Sequence, residues 1–262
     1  MAKEKVTIKN EEEIELLRQS SLLVGKTLAE VARILKPGVS TAKLDSLAEE
    51  FILDNGAKPG FKGYGGFPST LCISINEEVV HGIPGDRIIK SGDVVSIDCG
   101  TYMNGFYGDS AYTFAVGDVK KETLALLEAT KQSLYKGIEQ AVAGKRVGDI
   151  GYAVQNHVEN LGYGVVRDLV GHGLGRNLHE KPEIPNFGRR GSGPKLIERM
   201  VIAIEPMITL GSYDISQDTD GWTIRTIDGL PAAHFEHDVV IRKGKAEILS
   251  TFEFIEEVLN TK

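Results

Sequence analysis

The sequence predicts an α+β fold built from two similar halves, and three observations carry that reading. An order of helix, helix, loop and apolar strand occurs twice along the chain. Each of the two apolar strands runs into a carboxylate, Val94-Val95-Ser96-Ile97 into Asp98 and Val201-Ile202-Ala203-Ile204 into Glu205. Between two strand-like runs, Met103-Asn104-Gly105-Phe106 is a two-residue hairpin signal, because a type I′ turn needs positive φ at both central residues.

The first helix is announced by Asn10, with Glu13 three residues on to complete a capping box. Ile14, Leu17, Ser21, Val24, Leu28, Val31 and Leu35 then form one helical stripe, which Lys36-Pro37-Gly38 stops. A second helix follows, capped by Ser40 or Thr41, with Leu44, Leu47, Phe51 and Ile52 inward and Asn55-Gly56 at its end. The glycine- and aromatic-rich run 60–67 reads as loop, and 71–75 and 94–99 read as strands. Further on, 123–143 reads as a helix ended by Gly144, and 149–161 as another ended by Gly162. A shift of 106 places Gly38 on Gly144, Leu44 on Ile150, Ile52 on Val158 and Gly56 on Gly162. A shift of 107 places 94–98 on 201–205. No Pro/Ser-rich linker divides the chain, so one domain over 1–262 is expected, its halves at roughly 10–117 and 118–255.

Composition narrows the function. With 262 residues, 41% apolar and 26% charged, the chain is of ordinary globular make-up and long enough to bury a full core. A formal net charge of -7 argues against DNA as a ligand, since duplex binding relies on clustered cations. No apolar run approaches membrane-spanning length, and Met1-Ala2-Lys3-Glu4-Lys5 does not open a secretory signal. Cys72 and Cys99 form no C-x-x-C, which excludes a disulfide framework or a thiolate metal site. A cytoplasmic protein is expected.

The acids carry the chemistry. An aspartate ending a buried run is costly unless paired or metal-bound. If Asn104-Gly105 is the turn, Gly100 faces Asp109 and Asp98 faces Ala111, so Asp98 and Asp109 are diagonal neighbours on one face, roughly 7–8 Å apart at the backbone. Taken alone, that pair reads equally well as an unrelated strand-end acid and turn-flanking acid. Glu205 repeats the pattern ahead of Pro206, and Glu236 sits inside the apolar strand His234-Phe235-Glu236-His237-Asp238-Val239-Val240-Ile241. Four carboxylates on four apolar strands would repel one another unless cations hold them. In Gly171-His172-Gly173-Leu174-Gly175 the glycines clear space around His172; His179 follows, and His81 is similarly framed by Gly82. His157 reads as a core or surface histidine, and His234 and His237 as neighbours of a ligand. Asp98, Asp109, His172, Glu205 and Glu236 together suit Mn, Fe(II), Co or Zn better than Ca. Carboxylates able to bridge imply two metal ions about 3.5–4 Å apart, as in hydrolases.

These motifs resemble those of the type I methionine aminopeptidases, in their short bacterial form, over essentially the whole chain. The resemblance rests on Cys72-Ile73-Ser74-Ile75-Asn76-Glu77, Val80-His81-Gly82-Ile83-Pro84, Ile97-Asp98 with Gly108-Asp109, Gly171-His172-Gly173-Leu174-Gly175 with His179, Ile204-Glu205-Pro206-Met207, Asp220-Gly221-Trp222 and Phe235-Glu236-His237. It implies a pita-bread fold: pseudo-symmetric halves around a curved antiparallel sheet, helices on the outer face, a dinuclear site at the junction. By similarity Asp109 and Glu236 bridge both ions, Asp98 chelates one, and His172 with Glu205 completes the other. A bridging hydroxide would attack the first peptide carbonyl and release N-terminal methionine from a nascent polypeptide with a small second residue, with Glu205 as proton acceptor. His179 would contact the carbonyl oxygen and His81 the scissile amide. The family's methionine pocket maps onto Phe61, Tyr64, Phe67, Cys72 and Trp222, an apolar, polarisable lining suited to a thioether. Phe61 and Phe67 stand where relatives often carry cysteine and tyrosine, which bears on substrate range. Ala2 makes the chain a candidate substrate of its own kind. A monomer is expected.

Two rivals remain. An X-Pro dipeptidase would share fold and ligands, but those relatives generally carry an extra N-terminal domain, whereas a capped helix opens this chain. A non-catalytic peptide-binding module would have lost ligands, and all five are present. A type II enzyme would need an insert between the last two acids, which are only 31 residues apart. The basic run 188–195 could touch ribosomal RNA, though a solvated surface loop explains it more simply.

Overall fold

A computed structural model describes residues 6–261, so the readings made on Met1 to Lys5, Ala2 included, lie outside it. Helix α1, Glu11–Ile34, begins as the capping box requires: Asn10 Oδ1 accepts from the Glu13 N–H at 2.9 Å, and Glu13 Oε2 accepts from the Asn10 N–H at 3.0 Å. Three glutamates in its first turn suit the positive end of the helix dipole. Helix α2, Thr41–Asp54, is capped by Ser40; Leu44, Ala48 and Ile52 are buried, while Leu47 and Phe51 are half-buried. Helices α3, Lys121–Ile138, and α4, Val147–Glu159, occupy the corresponding places later in the chain, and α5, Glu253–Asn260, packs on α1.

Helix α3 stops before the sequence pattern does. The Ala143 N–H donates to the Arg242 carbonyl at 3.0 Å, and Val142 bridges Arg242, so long-range pairing draws 139–143 out of the helix. Gly144 at φ +98° then serves a turn beyond the helix. Its counterpart Gly38 has φ +93°. The Gly38 N–H donates to the Ile89 carbonyl at 2.9 Å, and the Gly144 N–H to that of Leu196 at 3.0 Å.

The strands Val94–Met103 and Phe106–Ala115 pair in unbroken register from Val94↔Ala115 to Met103↔Phe106, so Gly100 faces Asp109 and Asp98 faces Ala111. Asn104 at φ 53° and Gly105 at φ 84° supply the turn. Leu71–Ile75 pairs with the other edge of Val94–Met103, setting Cys72 opposite Asp98. In the later part, Val201–Ile204 pairs with His237–Val240, and Met207–Thr209 with Ala232–His234.

That arrangement corrects the expectation of four acids on four strands. Asp98 and Asp109 lie within strands, whereas Glu205 and Glu236 occupy the gaps where two segments of the chain step from one sheet to the next. Pro206 has no N–H to continue a ladder. Opposite it, the Glu236 N–H donates at 3.0 Å to the Ala111 carbonyl in the earlier hairpin. Ser110 Oγ donates to the Glu236 carbonyl and Thr113 Oγ1 to that of His234, both at 2.7 Å, stitching early strand to late segment. One apolar cluster joins Leu28, Ile52 and Ile97 to Leu134, Val154 and Ile202.

Candidate metal centre and cleft

His172 is aimed by its backbone. It lies in the short strand Gly171–Gly173, where a Cβ at Gly171 would collide with the Ala203 carbonyl oxygen, so only glycine permits the approach. Its Nδ1 donates to the Gly173 carbonyl at 2.9 Å, which leaves Nε2 as the free lone pair. Nε2 faces acids: it is 3.9 Å from Asp109 Oδ2 and 3.6 Å from Glu205 Oε1. Burial holds the ring's pKa down at about 3, so it is neutral and able to ligate.

Donor atoms of Asp109, His172 and Glu236 all lie within 4.8 Å of one another. Asp98 and Glu205 stand outside that tight triplet but border the same cavity. Asp98 Oδ1, Asp109 Oδ1 and Glu236 Oε1 are buried without a hydrogen-bond partner. Burial raises Asp98 to about 7 and Glu205 to about 8. Burial, reinforced by neighbouring acids, lifts Asp109 and Glu236 well above the carboxylate range. Unpaired buried oxygens, mutual repulsion and one neutral imidazole are the donor chemistry of a divalent-cation site, and the residues fit one.

All twelve side chains singled out in the sequence border one cavity of about 170 Å³. The four acids and His172 form one part of its lining; Phe61, Tyr64, Phe67, Cys72 and Trp222 supply an apolar part, with His81 and His179 beside them. Gly65 and Leu178 complete it, two positions the sequence reading passed over. The Trp222 ring meets Phe67 edge-on at 5.1 Å and His81 at 6.5 Å. His179 is 4.3 Å from the His172 ring, and its Nδ1 is 2.9 Å from the Tyr64 hydroxyl. His81 takes φ 60°, a conformation uncommon outside glycine. Burial lowers His81 to about 4 and also lowers His179, so both are neutral near pH 7.

His234, read as a neighbour, lies buried with Nε2 3.6 Å from Glu205 Oε2. Asp238 was not singled out. It is fully buried, and its Oδ2 accepts from the Asp109 N–H at 2.8 Å and from Ser21 Oγ at 2.7 Å. A further acid in an apolar run, one residue past His237, was its only sequence signal. His157 is half-buried on α4 and does not border the cavity. The basic run 188–195 is tied to α4: Arg190 stacks on Tyr152 at 4.5 Å, and the Gly191 N–H donates to Asp149 Oδ1 at 2.8 Å.

The chain belongs to metallopeptidase family M24, whose model matches residues 15–243, and its α+β architecture is the pita-bread fold. Among its relatives is the methionine aminopeptidase of Clostridium acetobutylicum, 51% identical over 95% of this chain and 100% of that one. The crystal structure of methionine aminopeptidase from Rickettsia prowazekii matches with TM-score 0.93 at 41% identity, covering 94% of this chain and 100% of that one. The prolidase from Pyrococcus furiosus matches with TM-score 0.77 at 25% identity over 94% of this chain, but over only 66% of its own. Among the described residues, no helix is long and apolar enough to cross a membrane.

Proposed function

We propose that this chain is a methionine aminopeptidase, a metal-dependent hydrolase that removes N-terminal methionine from new polypeptides whose second residue is small. The observation that carries the reading is a set of four converging acids, three of them with buried oxygens that lack a hydrogen-bond partner, and one neutral imidazole bordering an aromatic cleft, in a chain 51% identical to a methionine aminopeptidase. Asp98, Asp109, His172, Glu205 and Glu236 would hold two divalent ions, Mn, Fe(II), Co or Zn. When bound, such ions lower the pKa of water and polarise a carbonyl.

The chain's own residues then divide the work. Phe61, Phe67, Cys72 and Trp222 take the methionine side chain. Glu205 accepts the proton of the attacking water and returns it to the leaving amine. With its Nδ1 accepting from the Tyr64 hydroxyl, 2.9 Å away, His179 would present Nε2–H to the carbonyl oxygen as its charge grows. His81, kept neutral by burial, contacts the scissile amide. We read the chain as a single domain of two halves, Asp98 and Asp109 from one and His172, Glu205 and Glu236 from the other, acting as a monomer in the cytoplasm. The 188–195 run, fastened to α4, is read as a solvated surface loop and not as a ribosome contact.

The test is to strip the protein with chelator and assay Met-Ala-Ser beside a Xaa-Pro dipeptide, restoring each metal anaerobically. Metal-dependent release of methionine from the tripeptide alone is expected. Cleavage of the Xaa-Pro substrate alone would move the function to the dipeptidases, and no cleavage despite tight metal binding would favour a binding module.

A further inference from the structure

Trp222 and His81 reach the cleft from neighbouring ends of one small sheet. Trp222 lies between the paired strands Ile215–Gln217 and Ile224–Thr226, and the second of these pairs with Glu78–Val80, which runs straight into His81. The ladder is irregular between Ile224 and Arg225, beyond which the Thr226 N–H donates to the Glu77 carbonyl at 3.0 Å.

Arg225 fastens it. Its Nε donates to Asp218 Oδ2, Nη1 to Glu77 Oε1 and Nη2 to Glu78 Oε1, each at 2.6 Å. Asp218 belongs to the Trp222 side, Glu77 and Glu78 to the His81 side. Glu78 is buried and anchored in turn, its Oε2 accepting from the Ile75 N–H and its Oε1 from Arg87 Nη1, both at 2.7 Å. On the other side, Asp220 Oδ1 accepts from the Trp222 and Thr223 N–H groups at 2.8 and 2.9 Å, making the turn that carries the indole rigid. Two pieces already paired along their backbones are thus tied a second time, by one guanidinium. A lysine at this position could not reproduce three donors in one plane.

We propose that Arg225 is a positioning residue that sets where Trp222 stands relative to His81, and so places the indole wall of the pocket for the substrate's first side chain. This rests on the reading of the cleft as the methionine site. The pairing is partly solvated, so its share of global stability is small; its effect is on geometry, where a shift of an ångström matters.

Trp222 is the only tryptophan, so its emission reports on this wall alone. The metal-loaded wild type, R225K, R225M and D218N are compared by kcat and KM for Met-Ala-Ser, by discrimination against Phe-Ala-Ser, by acrylamide quenching of Trp222, and by metal affinity in calorimetry. In R225M, KM is expected to rise about tenfold with kcat within about twofold, as misplaced binding groups predict. Discrimination against Phe-Ala-Ser falls, quenching increases and metal affinity is unchanged. R225K and D218N lie between, and D218N serves if R225M does not fold. Increased quenching with unaltered KM and selectivity would overturn the proposal, as would quenching like that of wild type. A wild type that cleaves no methionyl peptide would sink the site reading instead, and quenching would still decide whether Arg225 holds the wall.

Discussion

Buried acids are the residues whose chemistry is most exposed to test. Glu205 borders both His172 and His234, and it is the residue proposed both to accept a proton and to hold metal. E205Q should lower kcat by about 10²–10⁴-fold, the usual worth of a positioned acid–base, and should also weaken metal binding in a calorimetric titration. His179 makes a separable case, because it borders the cleft and is proposed to meet substrate and not metal: H179A should reduce kcat by about 10²–10³-fold with metal affinity intact. Loss of metal along with activity would instead make His179 part of the centre. Asp98, Glu205 and His172 could be singled out in the sequence because a carboxylate closing an apolar run or a histidine between glycines needs a reason, whereas His179 stood out only through the family resemblance. Asp238 escaped notice because its role, accepting the Asp109 N–H, is a long-range contact that no local pattern encodes.

At the scale of elements, the hairpin was the most legible piece. Asn104-Gly105 fixes the turn, no bulge intervenes, and the diagonal relation of Asp98 to Asp109 follows from counting. The end of α3 and the break at Glu236 were not legible. Residues 139–143 carry no helix breaker, and their fate is decided by Arg242, about a hundred positions away. Phe235-Glu236 likewise carries none, whereas Pro206 opposite announces its own. Close backbone approach gives a prediction here: G171A forces the His172 strand away from Ala203, which should cost about 1–3 kcal/mol as an overpacked contact does, measured by urea unfolding of the metal-free protein. Metal affinity should fall with it. An unperturbed variant would mean that the strand has slack.

For the whole molecule, the acids set a pH dependence. Asp98 and Asp238 at about 7 and Glu205 at about 8 lie above their unfolded values near 4, so their contribution to stability is complete below about pH 4 and is lost progressively as pH rises from there to 7–8. Buried His81 at about 4 and His172 and His237 at about 3 act oppositely, losing stability as pH falls below 6.5. Above about pH 6.5 the histidines are neutral in both states and only the acids titrate. The Tm of metal-free protein should therefore drop between pH 6.5 and 8.5, and saturating divalent metal should flatten that decline. A Tm that rises over this interval without metal would contradict the burial of these groups.

The stitching of the Phe106–Ala115 strand to the 232–240 segment has a consequence for assembly. A chain severed near residue 118 would leave Asp98 and Asp109 on one fragment and His172, Glu205 and Glu236 on the other, each with unsatisfied edges that match. On the proposed ligand set neither fragment alone carries all the donors, so divalent cations would act as the solder between them, their binding energy drawing two incomplete pieces into one folded body.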